Sequence, residues 1–184
     1  MIEFKDISKK YDKIIFDHFN LTIPDNSITC ILGESGVGKT TFLKMIAGMT
    51  SYQGSITGVE KISYIFQEDR LIPHLTVFEN LKLVCPKLTD EEILGILKEF
   101  KIEDKINHYP SQLSGGEAKR VSIARAFLYD GSIILMDEPF ASLDLSLKLD
   151  LITYFSKHWL EKKKTVIFVT HDIDEALLLG HSIM

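Results

Sequence analysis

The sequence has few cysteines and no long apolar run. Two cysteines among 184 residues are too few for a disulfide framework, so we expect a reducing compartment. No apolar run approaches the roughly 18–20 residues of a membrane-spanning helix. The N-terminal residues also lack the basic segment and apolar stretch of a signal peptide. These absences predict a cytoplasmic protein that reaches a membrane only through a partner.

The sequence also lacks an excess of basic charge. It has 21 lysines and arginines against 26 acidic residues, a net charge of −5, so no overall basic field would attract a nucleic-acid backbone. The basic run 162–164 is better explained as a solvated loop before a strand. Repeats and low-complexity segments are absent. The length and the 45% hydrophobic content suit one soluble domain covering residues 1–184.

Hydrophobic patterning predicts strands that alternate with helices, which is typical of an α/β fold with a mainly parallel core. Residues 2–7 alternate in polarity like a half-buried strand, the N-terminal strands are expected to be antiparallel, and the strands 27–32, 132–136 and 165–170 are buried apolar runs. Strands are predicted at 2–7, 14–23, 27–32, 54–57, 62–66, 132–136 and 165–170, and helices at 40–49, within 75–100, at 116–129 and at 145–157. No strand is predicted within 75–116, so we expect a helical insertion there, with Thr89 as a helix cap.

A glycine-rich loop follows the strand 27–32 and precedes a helix. Residues 33–40 match the pattern G-x-x-x-x-G-K-[ST], whose glycines let successive N–H groups point at phosphate oxygens. Lys39 supplies a charge for the β- and γ-phosphates, and the Thr40 hydroxyl is suited to Mg²⁺. A glycine-rich turn with a surface lysine is the structural alternative. The predicted nucleotide-binding residues of this segment are Gly33, Ser35, Gly36, Gly38, Lys39, Thr40 and Thr41.

Two carboxylates end the apolar strand 132–136. Asp137 can hold Mg²⁺, and Glu138 can orient and activate an attacking water. Side chains alternate along a strand, so the two carboxylates take different directions. An acidic turn that caps a strand is the structural alternative.

Leu113-Ser114-Gly115-Gly116-Glu117 closely resembles the signature motif of ATP-binding cassette (ABC) proteins. Physically it is a second helix start suited to anions. The resemblance covers nearly the whole chain and implies a P-loop ATPase with ATP and Mg²⁺ as ligands. It also implies a head-to-tail dimer with a second ABC ATPase subunit. In that dimer Ser114, Gly115 and Gly116 cover the γ-phosphate bound by the partner.

Further residues resemble family positions in family order. Gln67 resembles the glutamine that meets Mg²⁺ and the water, and His171 resembles the switch histidine at the γ-phosphate. Asp144, in the run Ser142-Leu143-Asp144, resembles the loop that crosses the dimer interface. Tyr11 stands where the family places an aromatic ring against adenine. The resemblance thus implies catalytic roles for Glu138, His171 and Gln67, and metal contacts for Thr40, Gln67 and Asp137.

The segment 67–80 is similar to the coupling region of importers of the nitrate, sulfonate and taurine group. The resemblance implies an integral membrane permease as partner, contacted by Arg70, Pro73 and His74 on the inner face of the cell membrane. The expected function is ATP-driven import of a small organic solute or anion, with no nucleic acid involved. Packing of an amphipathic helix on its own core is the structural alternative for this segment.

Two features depart from the family pattern. Glu117 replaces the usual glutamine, and we expect no loss of turnover from it. The resemblance leads us to expect that the usual C-terminal strands are missing after Met184, in a protein that is either naturally short or truncated; Ile183 and Met184 resemble the start of such a strand. Two other classes remain open: an ABC ATPase of nucleic-acid maintenance or translation, and a small-molecule kinase. The first usually carries coiled coils, paired cassettes or a basic face, and the second has no use for the signature motif.

Overall fold

A computed structural model describes residues 1–141 and 143–184; Ser142, one residue of the predicted interface loop, lies outside the described residues. The chain divides into two compact units. The first unit comprises Met1–Tyr64, Gly131–Glu138 and Lys163–Met184. The second comprises Ile65–Asp130 and Pro139–Lys162.

Strands and helices alternate along the chain, so the predicted α/β class is confirmed. In chain order the elements are β1 (Ile2–Lys10), β2 (Ile14–Ile23), β3 (Ile28–Leu32), α1 (Lys39–Ile46), β4 (Gln53–Thr57), β5 (Ile62–Ile65), α2 (Val77–Val84), α3 (Asp90–Glu99), α4 (Gly115–Leu128), β6 (Ile133–Asp137), α5 (Leu145–Glu161), β7 (Thr165–Thr170), α6 (Ile173–Leu179) and β8 (Ser182–Ile183). Single 3₁₀ turns lie at Glu103–Lys105 and Pro110–Gln112.

The N-terminal strands form an antiparallel sheet, as expected. Its order is β2-β1-β4, and Phe4 pairs with Leu21 on one side and Ile56 on the other. Ile2, Phe4 and Ile7 are buried, and the Phe4 ring stacks on Phe42 of α1 at 4.9 Å between centroids. Burial of such side chains contributes about 1.5–3 kcal/mol each.

The second sheet has the order β5-β6-β7-β3-β8. The pairings of β7 with β6 and β3, and of β3 with β8, are parallel. Every residue of β6 and β7 is buried, which explains why both strands are continuous apolar runs rather than alternating ones. Parallel pairing brings the carboxyl ends of β3, β6 and β7 to one edge, where Leu32, Asp137 and Thr170 lie.

The second unit is built from helices. Thr89 caps α3 as predicted, accepting a hydrogen bond from the Glu92 amide, and Thr76 caps α2 in the same way. The core includes Phe100, Phe127 and Phe155, with the last two rings 5.0 Å apart. Within the described residues, no strand intervenes between β5 and β6. None of the helices described is both long and apolar enough to cross a bilayer.

Some helix boundaries differ from the sequence prediction. Helix α1 ends at Ile46 rather than Met49, because Gly48 adopts φ +68° and the Met49 amide turns back to the Lys44 carbonyl. Helix α5 extends to Glu161 rather than Lys157. The short helix α6 was not predicted; the Asp172 side chain starts it by accepting from the amides of residues 174 and 175.

The two cysteines should differ in reactivity. Burial raises the pKa of the Cys30 thiol to about 12, and the Glu175 carboxylate adds to the rise. Because the thiolate is the reactive form, we expect a thiol reagent at about pH 8 to modify only Cys85 in the folded chain, and both cysteines in denaturant. In a Cys85→Ser variant no thiol should react before unfolding. Rapid labelling of Cys30 in folded protein would contradict this prediction.

Candidate functional site

The glycine-rich loop joins the end of β3 to the start of α1. Gly36 and Gly38 have φ of +84° and +109°, conformations that side-chain-bearing residues rarely adopt. The Gly33 amide donates to the Thr170 carbonyl at 3.2 Å, which ties the loop to the end of β7. The loop therefore curls directly before the N-terminus of α1, where amides and the helix dipole favour an anion.

Gly38 and Gly36 make a matched pair of test positions. A Cβ at Gly38 would lie 2.4 Å from Ile15 Cγ2, whereas no neighbouring atom lies within 4 Å of a Cβ at Gly36. Both alanine variants are strained by positive φ, but only Gly38→Ala adds a clash. We expect Gly38→Ala to lower the free energy of unfolding by about 2–4 kcal/mol and Gly36→Ala by about 1–2 kcal/mol. Urea denaturation measures both, and equal losses would contradict the geometry.

Lys39 lies within the loop rather than at the surface. Its side chain is almost fully buried, and its ammonium donates to the carbonyl oxygens of Gly33 at 2.6 Å and Glu34 at 2.8 Å. The same ammonium lies 3.7 Å from Glu138 Oε1. The structural alternative of a surface lysine is therefore wrong: the ammonium is a fixed charge at the centre of the loop.

Thr40 and Asp137 bring two hard oxygen atoms together. The Thr40 hydroxyl donates to Asp137 Oδ1 at 3.0 Å, and the Tyr64 hydroxyl donates to Oδ2 at 3.3 Å. The Asp137 side chain is largely buried. Mg²⁺ is commonly held by one or two protein oxygens, with waters and substrate phosphates completing its shell, and this pair fits that chemistry. The described residues contain no group of three or more His, Cys, Asp or Glu side chains that could hold a metal.

Glu138 stands at the turn after β6. Its φ is +45°, which is uncommon for a residue with a side chain, and its amide donates to the Val169 carbonyl at 3.0 Å. Glu138 Oε2 lies 3.3 Å from His171 Nδ1, and Oε1 faces Lys39. The structure thus places the predicted base beside the predicted switch histidine and the loop lysine.

The turn that carries His171 is held by a buried pair that sequence reasoning missed. The Thr170 hydroxyl donates to Glu175 Oε2 at 2.6 Å and accepts from the Asp172 amide at 3.1 Å. Thr170 and Glu175 are both buried. The sequence alone does not show that the glutamate four residues after this histidine is buried, because its burial depends on strands far away in the chain.

Tyr11 belongs to the first unit and is exposed. Its hydroxyl lies 3.4 Å from Thr50 Oγ1, and the Lys9 ammonium lies over its ring at 4.6 Å from the centroid. The hydrogen bond with Thr50 lowers the pKa of the Tyr11 phenol, and the Lys9 charge adds to this. Its role in adenine stacking, like that of Thr41 and Ser35 in phosphate contact, stays a prediction.

The remaining predicted residues belong to the second unit. Ser114 caps α4: its side chain accepts from the Glu117 amide at 3.3 Å, and Glu117 Oε2 accepts from the Ser114 amide at 2.7 Å. The bond from the Ser114 amide lowers the pKa of the Glu117 carboxyl. Gly115 and Gly116 form the first turn of α4, and Asp144 caps α5 by accepting from the Leu147 amide at 3.0 Å. Gln67 is exposed on the loop before α2.

Comparison with known proteins agrees with this geometry. The family profile described as "ABC transporter" matches residues 16–141. The aliphatic sulfonates import ATP-binding protein SsuB of Bacillus thuringiensis is 35% identical over 201 aligned residues, covering 100% of this chain and 80% of that protein. The molybdenum import ATP-binding protein ModC of Haemophilus ducreyi is 40% identical over 183 residues, covering 90% of this chain and 52% of that protein. The chain thus spans about half the length of that relative.

Solved structures are similar over the whole chain. The dimeric structure of a bacterial ABC transporter cassette superposes with a TM-score of 0.87 and 33% identity, covering 100% of this chain and 93% of that one. A second structure of the same cassette, described as a post-hydrolysis state bound to ADP and Pi, also superposes with a TM-score of 0.87. With the phosphate loop, the paired carboxylates and the signature helix all present, the chain belongs to the ABC transporter family of ATPases.

Proposed function

We propose that this chain is the ATP-binding and ATP-hydrolysing subunit of an ABC importer. The observation that carries the proposal is the convergence of Lys39, Glu138 and His171 at the carboxyl edge of the parallel sheet, beside the Thr40–Asp137 pair. Titratable groups brought together at such an edge, next to a phosphate-binding loop, suit phosphoryl transfer.

Each residue has a distinct role in the proposed hydrolysis. Lys39 holds the β- and γ-phosphates, while the loop amides from Glu34 to Gly38 surround them. Thr40 and Asp137, with Gln67, would hold Mg²⁺, which neutralises phosphate charge when bound. Glu138 orients the attacking water and takes its proton. His171, whose side chain is 55% exposed, is free to reach the γ-phosphate while its Nδ1 stays near Glu138.

The proposal includes a head-to-tail dimer. The start of α4 at Ser114, Gly115 and Gly116 offers amides suited to an anion, and each subunit would place them on the γ-phosphate bound by the other. Asp144 would lie at that interface, and Tyr11 would stack on adenine. The dimeric form of a related cassette supports this arrangement. Loss of the γ-phosphate would remove the bridge and open the pair.

The relatives and one exposed segment support the proposed transport role. Both relatives quoted are import proteins, one named for molybdenum and one for aliphatic sulfonates. We therefore propose import of a small organic solute or anion, with the chain held at the inner membrane face by a permease. Arg70, Pro73 and His74 are exposed and would contact it, and residues 75–116 would act as the helical insertion that grips it.

Hydrolysis is tested by phosphate release from the purified chain with ATP and Mg²⁺ and no phosphoryl acceptor. We expect release to water that stops when Mg²⁺ is chelated. A requirement for an added acceptor would instead indicate a kinase and would overturn the ATPase assignment.

The transport role is tested by affinity purification of the tagged chain from detergent-solubilised native membranes, with mass spectrometry of the eluate. We expect a multi-helix permease at a stoichiometric level. His74→Glu should lose it, whereas Lys87→Glu, also an exposed charge change in the second unit, should retain it. Recovery of only soluble or nucleic-acid-bound partners would contradict the transport role.

A further inference from the structure

A buried lysine of the signature helix contacts the loop that carries Gln67. Lys119 is only 4% exposed. Its ammonium donates to the carbonyl oxygens of Gln67 at 2.9 Å and Phe66 at 3.3 Å, and it lies 2.8 Å from Asp69 Oδ1. These acceptors all belong to the second unit and lie within four consecutive residues. Nothing in the sequence pattern of α4 singled this lysine out.

A second cation of the same helix extends these contacts. Arg125 donates to the carbonyl oxygens of Asp69 at 3.2 Å and Arg70 at 3.1 Å. The guanidinium of Arg70 lies 3.8 Å from the centroid of the Phe66 ring and so folds the loop on itself. Main-chain oxygens at four of the five positions 66–70 are therefore held by side chains of α4.

Stability alone does not account for this arrangement. Desolvation makes a buried ion pair weak evidence for stability, and apolar replacements of similar volume are often neutral or stabilising. A cation with several donors instead holds the atoms that it binds in a fixed position. Here those atoms are the backbone of the loop that presents Gln67, and the donor stands on the helix that Ser114 caps.

We propose that Lys119 is a positioning residue: it fixes the Gln67 loop to the signature helix, so that Gln67 and Ser114 keep one relative position during the ATPase cycle. The inference rests on the proposed roles of Gln67 and Ser114. Lys119 touches no phosphate in this scheme and acts only through the loop backbone. The Asp69 carboxylate neutralises the charge of the Lys119 ammonium.

The test compares Lys119→Met, which keeps side-chain length but removes the donors, with Ile123→Val, a buried change on the same helix that leaves the loop contacts intact. We expect Lys119→Met to lower kcat by about ten- to a hundredfold through misplacement of Gln67, with ATP affinity within about twofold of the parent. Hydrogen exchange of the 66–70 amides should be faster by about tenfold or more, because the loop opens locally without global unfolding. Ile123→Val should show neither change.

Two outcomes would overturn the proposal: unchanged kcat in Lys119→Met, or loop exchange no faster than in Ile123→Val. If Lys119→Met fails to fold because the Asp69 carboxylate is left without its cation, Asp69→Asn is added to it, and unchanged exchange of the 66–70 amides in the double variant would overturn the proposal. Exchange does not depend on turnover. Absence of phosphate release by the parent would therefore refute the proposed function, while the exchange data would still decide whether Lys119 fixes the loop.

Discussion

Glu138→Gln should slow ATP hydrolysis by about a hundredfold or more, because a carboxamide cannot take the proton of the attacking water. The position of the side chain should be retained. The Glu138 amide stays bonded to the Val169 carbonyl, and glutamine has nearly the same shape as glutamate. ATP should therefore bind with little change, and an ATP-bound dimer should accumulate because the bridging γ-phosphate persists.

Steady-state phosphate release, ATP affinity and size-exclusion chromatography with ATP together measure these effects. Glu60→Gln is a suitable control, since Glu60 is an exposed carboxylate of the first unit that hydrogen-bonds with Ser132 away from the loop. Hydrolysis by Glu138→Gln at the parental rate would show that another group activates the water.

Lys39→Met should weaken ATP binding by about ten- to a hundredfold, the effect of losing one or more hydrogen bonds made by a charged group. The reason is the position of the ammonium, which the Gly33 and Glu34 carbonyls hold inside the loop. Since Lys39 is assigned to the β- and γ-phosphates, AMP should lose much less affinity than ATP. That difference separates loss of a phosphate contact from collapse of the loop.

Isothermal titration with ATP and AMP makes the comparison, and Lys61→Met, at an exposed lysine of the first unit, serves as the control. An equal loss of affinity for ATP and AMP would indicate a damaged loop. Full ATP affinity in Lys39→Met would show that Lys39 is not part of the ATP-binding site.

The fold could be predicted from the sequence where short-range pattern decides it. Strands β3, β6 and β7 are apolar runs because both faces of a parallel sheet are buried, and Thr89 has the chemistry of a helix cap. The short helix α6 was missed because seven residues carry too little periodicity for detection. The boundaries of α1 and α5 depended on turn geometry that a hydrophobic pattern does not encode.

Only those residues of the candidate site that belong to sequence motifs could be predicted from the sequence. Spacing in the sequence identifies Lys39, Thr40, Asp137 and Glu138, and the structure brings their side chains together. The Tyr64 hydroxyl on Asp137 and the Thr170–Glu175 pair were not foreseen, because each joins residues whose burial depends on sheet pairing. Lys119 was missed for a different reason: a lysine on a helix is usually solvated, and only packing shows this one to be buried.

The Glu117 substitution gains a physical explanation. At the third position of α4 its carboxylate accepts from the Ser114 amide and so completes a capping box. Glutamine would accept the same bond through its amide oxygen. The cap at the start of α4 is therefore preserved with either residue, in line with the expectation of unaltered turnover.

The end of β7 is a common attachment point for the groups that are proposed to act in hydrolysis. Two successive carbonyls there, those of Val169 and Thr170, receive the amides of Glu138 and Gly33, and the next residue is His171. The positions of the proposed base, the phosphate loop and the histidine are therefore each set directly by β7, and none of them depends on a long stretch of intervening chain. A small shift of β7 would carry all three groups together, so their mutual spacing would survive strain that displaces the strand as a whole.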